Sequence, residues 1–276
     1  MSLPRLFAFA LPAALSLTGA SGCGAFGAGG LGSAACPALR PNVDALSARF
    51  SGRANIDGKI KTFVQASKDM ASVSHQIEAE ATGACIRMGT DLGLTGAQMR
   101  PQKGPGGSTA GACNAVAARI DAILQQGVRL QATVQAPQCQ ANANAQARCA
   151  SACNVGIDNE CSASCRAHAN AQASCSPARV TVQATQNAQA ASRLVQTLQA
   201  NLPQLIHAQI TLGQRLMEDA RVVAQVGAEL PKLVGEAGAQ AAACIAAAAD
   251  ASATASVRIQ VSVRASASVS GRAGAR

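Results

Sequence analysis

Residues 131–183 read QATVQAPQCQANANAQARCASACNVGIDNECSASCRAHANAQASCSPARVTVQ, nearly a palindrome about Ile157. Cys153 mirrors Cys161, Cys149 mirrors Cys165 and Cys139 mirrors Cys175. Arg148 mirrors Arg166, Asn144 mirrors Asn170, and Pro137, Thr133 and Gln131 mirror Pro177, Thr181 and Gln183. Two arms of equal length folded antiparallel about a turn produce this pattern, because residues facing each other lie at equal offsets from the centre. The tip is Asn154–Glu160, with Gly156 and Asp158-Asn159 as turn formers.

The arms can be read as helices or strands. Cysteine spacings of four and ten suit one helical face, which would give a disulfide-stapled helical hairpin. Three features favour strands. From Cys139 to Ala147 the odd positions carry Ala or Cys and the even ones polar residues, the period of a strand. The outer ends, Ala132-Thr-Val-Gln-Ala136 and Arg179-Val-Thr-Val-Gln-Ala184, are rich in β-branched residues. Pro137 and Pro177 would break both helices at once, whereas at non-hydrogen-bonded ladder sites a proline removes no pairing bond. Those sites also bring opposed residues closest, as disulfides require. The expected bonds are Cys139–Cys175, Cys149–Cys165 and Cys153–Cys161, on one face. Such cross-links are physically needed, since a two-stranded ribbon is marginal in water. A metal or redox site built from the paired Cys-x3-Cys motifs is the competing reading. It is weakened by the spacing, by the oxidation usual in exported chains, and by His168 being the only nearby histidine.

Outward from this segment, apolar and polar residues alternate from Ala251 to Val269. As a strand this run spans roughly 60 Å at about 3.3 Å per residue. It is expected to pair with one arm and complete a long three-stranded sheet, with Arg258 and Arg264 facing away from its apolar side. A Ser/Ala-rich tail without structure is the alternative. The rest reads as helix. Ile56, Ile60, Phe63, Val64, Met70, Val73 and Ile77 form one stripe, continuing to about Met88 before Gly89. An irregular Gly/Pro segment over 99–108 precedes a second helix near Thr109. Leu194, Leu198, Leu202, Leu205, Leu216 and Val226 mark a long helical region from Gln186 to Ala249, divided by Pro203 and Pro231. The expected fold is α+β: an antiparallel, coiled-coil-like bundle of about four helices over 36–129 and 185–250, a disulfide-laddered β-hairpin arm over 130–184, a third strand over 251–270 and a tail over 271–276. Of the other cysteines, Cys85 and Cys113 flank the Gly/Pro loop and are expected partners, leaving Cys36 for Cys244.

The start of the chain has the layout of a secretory signal over 1–22: Arg5, an apolar run from Leu6 to Leu17, then Thr18-Gly-Ala-Ser-Gly22 before Cys23. Ala20–Cys23 resembles a lipobox, with Ala20 where Leu is usual, so cleavage by ordinary signal peptidase near Ala25 or Ala28 stays open. Parity favours lipidation of Cys23: the chain has 11 cysteines, and setting Cys23 aside leaves an even set. Residues 23–35 then form a Gly-rich tether. No later run reads as a membrane span. The expected location is the periplasm or cell surface, anchored to the outer membrane through an N-terminal lipid. The net charge of +9 is scattered without a Lys/Arg run, which argues against nucleic acid.

Three stretches carry a resemblance: Ala84-Cys-Ile-Arg-Met-Gly-Thr-Asp-Leu-Gly93, Ala112-Cys-Asn-Ala-Val116, and the paired Cys-x3-Cys ending in Cys175-Ser-Pro-Ala-Arg-Val-Thr-Val182. Together they resemble cysteine-containing predicted lipoproteins of myxobacterial type. The resemblance implies an envelope location and no particular chemistry.

No nucleophile elbow, phosphate loop or metal-ligand spacing is found. His75 and His207 read as surface or interface residues of helices, and Glu78 and Glu80 are too close along a helix to face each other. The expectation is a non-enzymatic lipoprotein without a cofactor, scaffolding or docking an envelope partner, or self-associating through helical stripes and an edge strand. The alternative is a ligand-binding module with Phe63, Met70 and His75 lining a pocket.

Overall fold

The computed structural model describes residues 35–152, 165–166, 168–169 and 174–274. The expected signal over 1–22, Cys23, Cys153, Cys161 and the expected hairpin tip lie outside the described residues. Helix α1 (Ala54–Asp91) buries Ile56, Ile60, Phe63, Val73, Ile77 and Met88 along one stripe. Its N-terminus is fixed by Asp57 in the first turn, whose Oδ1 accepts the amides of Phe50 at 2.6 Å and Ser51 at 3.0 Å. Helix α2 (Gly107–Leu124) is bonded to α1 through Cys85–Cys113, with 5.0 Å between the Cα atoms. The intervening loop lies close against α2: a Cβ on Gly111 would sit 2.0 Å from the Arg100 carbonyl oxygen.

The region after the hairpin differs from expectation in two ways. Helix α4 (Ala188–Ala237) runs unbroken through Pro203 and Pro231. An interior proline costs about 3 kcal/mol, but Leu198, Leu202, Leu205 and Ile206 are all buried around Pro203. Each such side chain contributes roughly 1.5–3 kcal/mol, so packing outweighs the lost backbone bond. The break falls instead at Gly238, whose φ of 82° suits glycine.

The second difference corrects the C-terminal strand. Residues 251–270 belong to helix α5 (Ala239–Arg272), and among the described residues no third strand joins the hairpin. The turn-facing positions Ala241, Ile245, Ala248, Ser252, Ala255, Ile259, Ser262, Ser266 and Val269 follow alternating steps of four and three, a heptad seam. Three of them are serines that the alternating pattern counts as polar. Their hydroxyls are satisfied inside the bundle: Ser252 donates to Ala249 O at 2.9 Å and Ser266 to Ser262 O at 2.8 Å within the helix, and Ser262 to Thr109 Oγ1 of α2 at 3.2 Å. Being small and internally satisfied, they act as core residues. Alanine-rich sequence also has the strongest helix propensity.

Helices α1 and α5 pack together, and α2 and α4 each touch both. Two apolar cores result. One runs from Met70 to Leu92 on α1, with Leu194–Leu216 of α4 and Ala255–Val269 of α5. The other joins Ile56–Ala66, Val222, Val226 and Ala241–Ala248 with Cys36 and Ala45. Between them lies a buried polar level of Ser67, Asp219 and Ser252, flanked by Thr62 and Gln65. Cys36–Cys244 closes the second core across a sequence separation of 208.

The hairpin begins as strands β1 (Arg129–Gln135) and β4 (Arg179–Gln186), paired antiparallel with Gln131 opposite Gln183 and Thr133 opposite Thr181. A second short ladder, β2 (Cys139–Gln140) with β3 (Ser174–Cys175), sets Cys139 opposite Cys175, which are bonded. These pairs share the centre at Ile157. The expected strand then ends: Ala143–Ala152 is helix α3, and residues 165, 166, 168 and 169 are helical. Ala145 and Cys149, four apart, are buried on one face, so alternation of small residues again concealed a helical stripe. Cys149–Cys165 links the two sides. The arm does not project freely. Val182 is buried, β4 packs on α4, and α3 touches the 3-10 turn Ala45–Ser47.

Two outcomes follow from this packing. Ala255→Leu in the α5 seam overfills a close contact and should destabilise the protein by about 1–3 kcal/mol in denaturant unfolding. Val257→Leu, at a position 48% exposed, should stay within about 0.5 kcal/mol. Equal effects would refute the helical seam. Cys139 and Cys175 are half-buried, whereas the cysteines of the other three bonds among the described residues are no more than 4% exposed. Under mild reductant, mass spectrometry of alkylated protein should therefore find Cys139–Cys175 opened first.

Candidate functional site

Where the hairpin returns to the bundle, polar groups from three segments meet. Gln65, Lys68 and Asp69 occupy one side of α1, at the level of the polar layer. Asp44 caps the 3-10 turn Ala45–Ser47, accepting the Leu46 amide at 2.9 Å. Leu46 packs against Cys149 and Cys165. Lys68 donates to the Val43 carbonyl, fixing this turn on α1. From the returning arm, His168 Nδ1 lies 2.8 Å from Asp69 Oδ2. Gln65 Nε2 donates to Asp69 Oδ1 at 2.9 Å. With the Nδ1 proton directed at Asp69, the 3.3 Å approach of Gln65 Nε2 to Nδ1 is a contact between two donors.

The electrostatics follow from this arrangement. The hydrogen bond to Asp69 raises the His168 pKa from 6.5, against the opposing effect of burial; Asp69 and Asp44 add to the rise, and Lys68 opposes it. Burial lowers the Lys68 pKa from 10.5, partly offset by Asp69 and Asp44. The chemistry here is charge-assisted docking: a disulfide-bonded module held on the bundle by a histidine–carboxylate pair and a small apolar contact.

The remaining expected residues are placed separately. Phe63 lies in one core and Met70 in the other, while His75 is exposed, so these three do not form one pocket. His75 Nε2 accepts from Arg258 at 3.0 Å, and Arg258 also pairs with Glu78 at 2.8 Å. Burial, then the Arg258 charge, lowers the His75 pKa. Arg258 is thus engaged between α5 and α1 rather than turned from the apolar side into solvent; Arg264 is exposed. His207 faces Glu80 at 3.0 Å, so Glu78 and Glu80 serve different helices. Cys85 is bonded to Cys113 and Cys36 to Cys244. Among the described residues no group of three metal-donor side chains gathers. Sequence reading missed the Gln65–Asp69–His168 cluster and the buried Asp219. The only signal was polar residues on an otherwise apolar face of α1.

The His168 pair has a defined pH sign. A pKa raised in the folded state gives stability that is complete below about 6.5 and is lost as pH rises through the folded value. In NMR titrations His168 should deprotonate at a higher pH than His75. The destabilisation caused by His168→Gln should shrink as pH rises; an effect that grows with pH would contradict the Asp69 pairing.

Comparison with known proteins found no matching family model, no matching curated protein and no matching solved structure.

Proposed function

We propose that this chain is a non-enzymatic cell-envelope lipoprotein, anchored through Cys23, whose bundle and stapled hairpin serve as a rigid scaffold for an envelope partner or a second copy. The carrying observation is the cysteine pairing. Eight of the 11 cysteines are joined in the described residues, at Cys36–Cys244, Cys85–Cys113, Cys139–Cys175 and Cys149–Cys165. Cystines in this number support an oxidising, exported compartment. The three others are Cys23, Cys153 and Cys161; the mirror pairs the last two and leaves Cys23 for acylation.

A scaffold role is supported by how the bonds are distributed. One closes the second core, one ties α1 to α2, and two hold the hairpin. In the chain-entropy account, the 28-residue separation of Cys85–Cys113 corresponds to about 3–4 kcal/mol. By length and composition α5 could cross a membrane. Its ties to the bundle favour a core helix: Arg258 to Glu78, and Ser262 Oγ to Thr109 Oγ1 at 3.2 Å. A metal or redox role for the Cys-x3-Cys pairs would first need the Cys149–Cys165 bond opened.

Expression of the full chain with labelled palmitate, followed by fractionation and mass spectrometry of the mature N-terminus, tests this reading. The expected result is an acylated Cys23 and membrane-bound protein, with Cys23→Ser appearing in the soluble fraction. A mature N-terminus at another residue, without acyl groups, would sink the anchor.

A further inference from the structure

We infer that the bundle stands end-on to the membrane, with the end that carries Cys36–Cys244 against anionic lipid headgroups; this rests on acylation of Cys23. The first ground is reach. Residues 24–35 separate Cys23 from Cys36, and most are Gly, Ala or Ser. Thirteen backbone steps join the two cysteines, so whatever the path between them they stand at most about 45 Å apart. Cys36 is not free to carry that slack further along the molecule. It is buried, bonded to Cys244 near the start of α5, and part of the second core. The 38 residues of α1 then extend away from this end, a length of about 57 Å at 1.5 Å per residue. The opposite end, at Leu92 and Val269, lies beyond that limit.

The second ground is the chemistry of the near end. Here α4 runs past its last buried valine, Val226, and turns into α5 at Gly238. On these closing turns Val234 is 38% exposed, beside exposed Pro231 and Lys232. Arg49, shortly before the start of α1, is exposed as well. Of the acids towards this end, Asp57 pairs with Lys61 at 2.8 Å and Glu229 with Lys59, while Glu236 shares the closing turns with Lys232. An exposed apolar side chain among cations suits the headgroup region of an anionic bilayer, where the cation is drawn to phosphate and the valine leaves water.

The chain contains no Trp and no Tyr, so one introduced tryptophan is a unique reporter. The full-length protein carrying Val234→Trp, matured in cells and purified, is reconstituted with phosphatidylethanolamine–phosphatidylglycerol vesicles whose acyl chains are brominated near the headgroup. Gln240→Trp, at an exposed position on the first turn of α5, repeats the test should Val234→Trp fail to fold. Ile86→Trp, 44% exposed towards the far end of α1, is the control. Emission from Val234→Trp and Gln240→Trp should shift to the blue and lose intensity on the brominated vesicles, with Ile86→Trp unchanged. If mass spectrometry shows acylated Cys23 but neither near-end reporter is quenched, or Ile86→Trp is quenched equally, the orientation is wrong while the anchor stands. An unacylated N-terminus would overturn the anchor and this inference together.

Discussion

The fold depends on how closely α5 can approach its neighbours. Two thirds of the seam of that helix is Ala and Ser, so its backbone lies against α1, α2 and α4 with little side chain between. The bulk comes from the other side: Phe63, Ile60 and Ile77 on α1, and Leu194, Leu198, Leu202 and Leu205 on α4, all nearly or fully buried. Large residues facing small ones achieve dense packing without aromatic mass. A chain lacking Trp and Tyr can therefore still fill a long bundle.

Buried hydroxyls accompany this close approach. Thr82 and Thr109 lie 2.9 Å apart between α1 and α2, and Ser262 of α5 reaches Thr109 as well. These cross-helix pairs give the helices positions that a sliding neighbour could not satisfy. Apolar contact between small side chains discriminates weakly between registers, whereas unsatisfied buried polar groups are expensive. The polar level also coincides with the place where the hairpin docks through Asp69 and His168.

The outer hairpin was legible because mirrored residues fix register directly: Thr133 with Thr181 and Cys139 with Cys175 meet at the positions their offsets require. The same symmetry could not state the conformation of the inner arms. Ala and Cys spaced by two and by four satisfy strand and helix together, and Ala143–Ala152 is helical. At the C-terminus the ambiguity misled. Alternating Ala, Val and Ser reads as a strand only if serine counts as polar, and Ser252, Ser262 and Ser266 sit in the seam. The docking cluster was hidden for a different reason: Asp69 and His168 are 99 residues apart, and a polar residue on a helix face ordinarily marks solvent. The cysteine pairs at Cys36–Cys244 and Cys85–Cys113 followed from flanking and elimination, which needs no knowledge of conformation.

The long bond between Cys36 and Cys244 has a consequence for biogenesis. In a chain threaded across a membrane N-terminus first, Cys36 arrives in the oxidising compartment 208 residues ahead of its partner. Meanwhile Cys85, Cys113 and the hairpin cysteines emerge one after another, each able to capture it. Among the described residues the native set is nested, with three bonds enclosed by the fourth. Order of arrival therefore offers wrong early partners, and any such capture has to be undone by thiol–disulfide exchange before the enclosing bond can close. Such a protein would depend for its yield on a disulfide isomerase in the compartment that receives it.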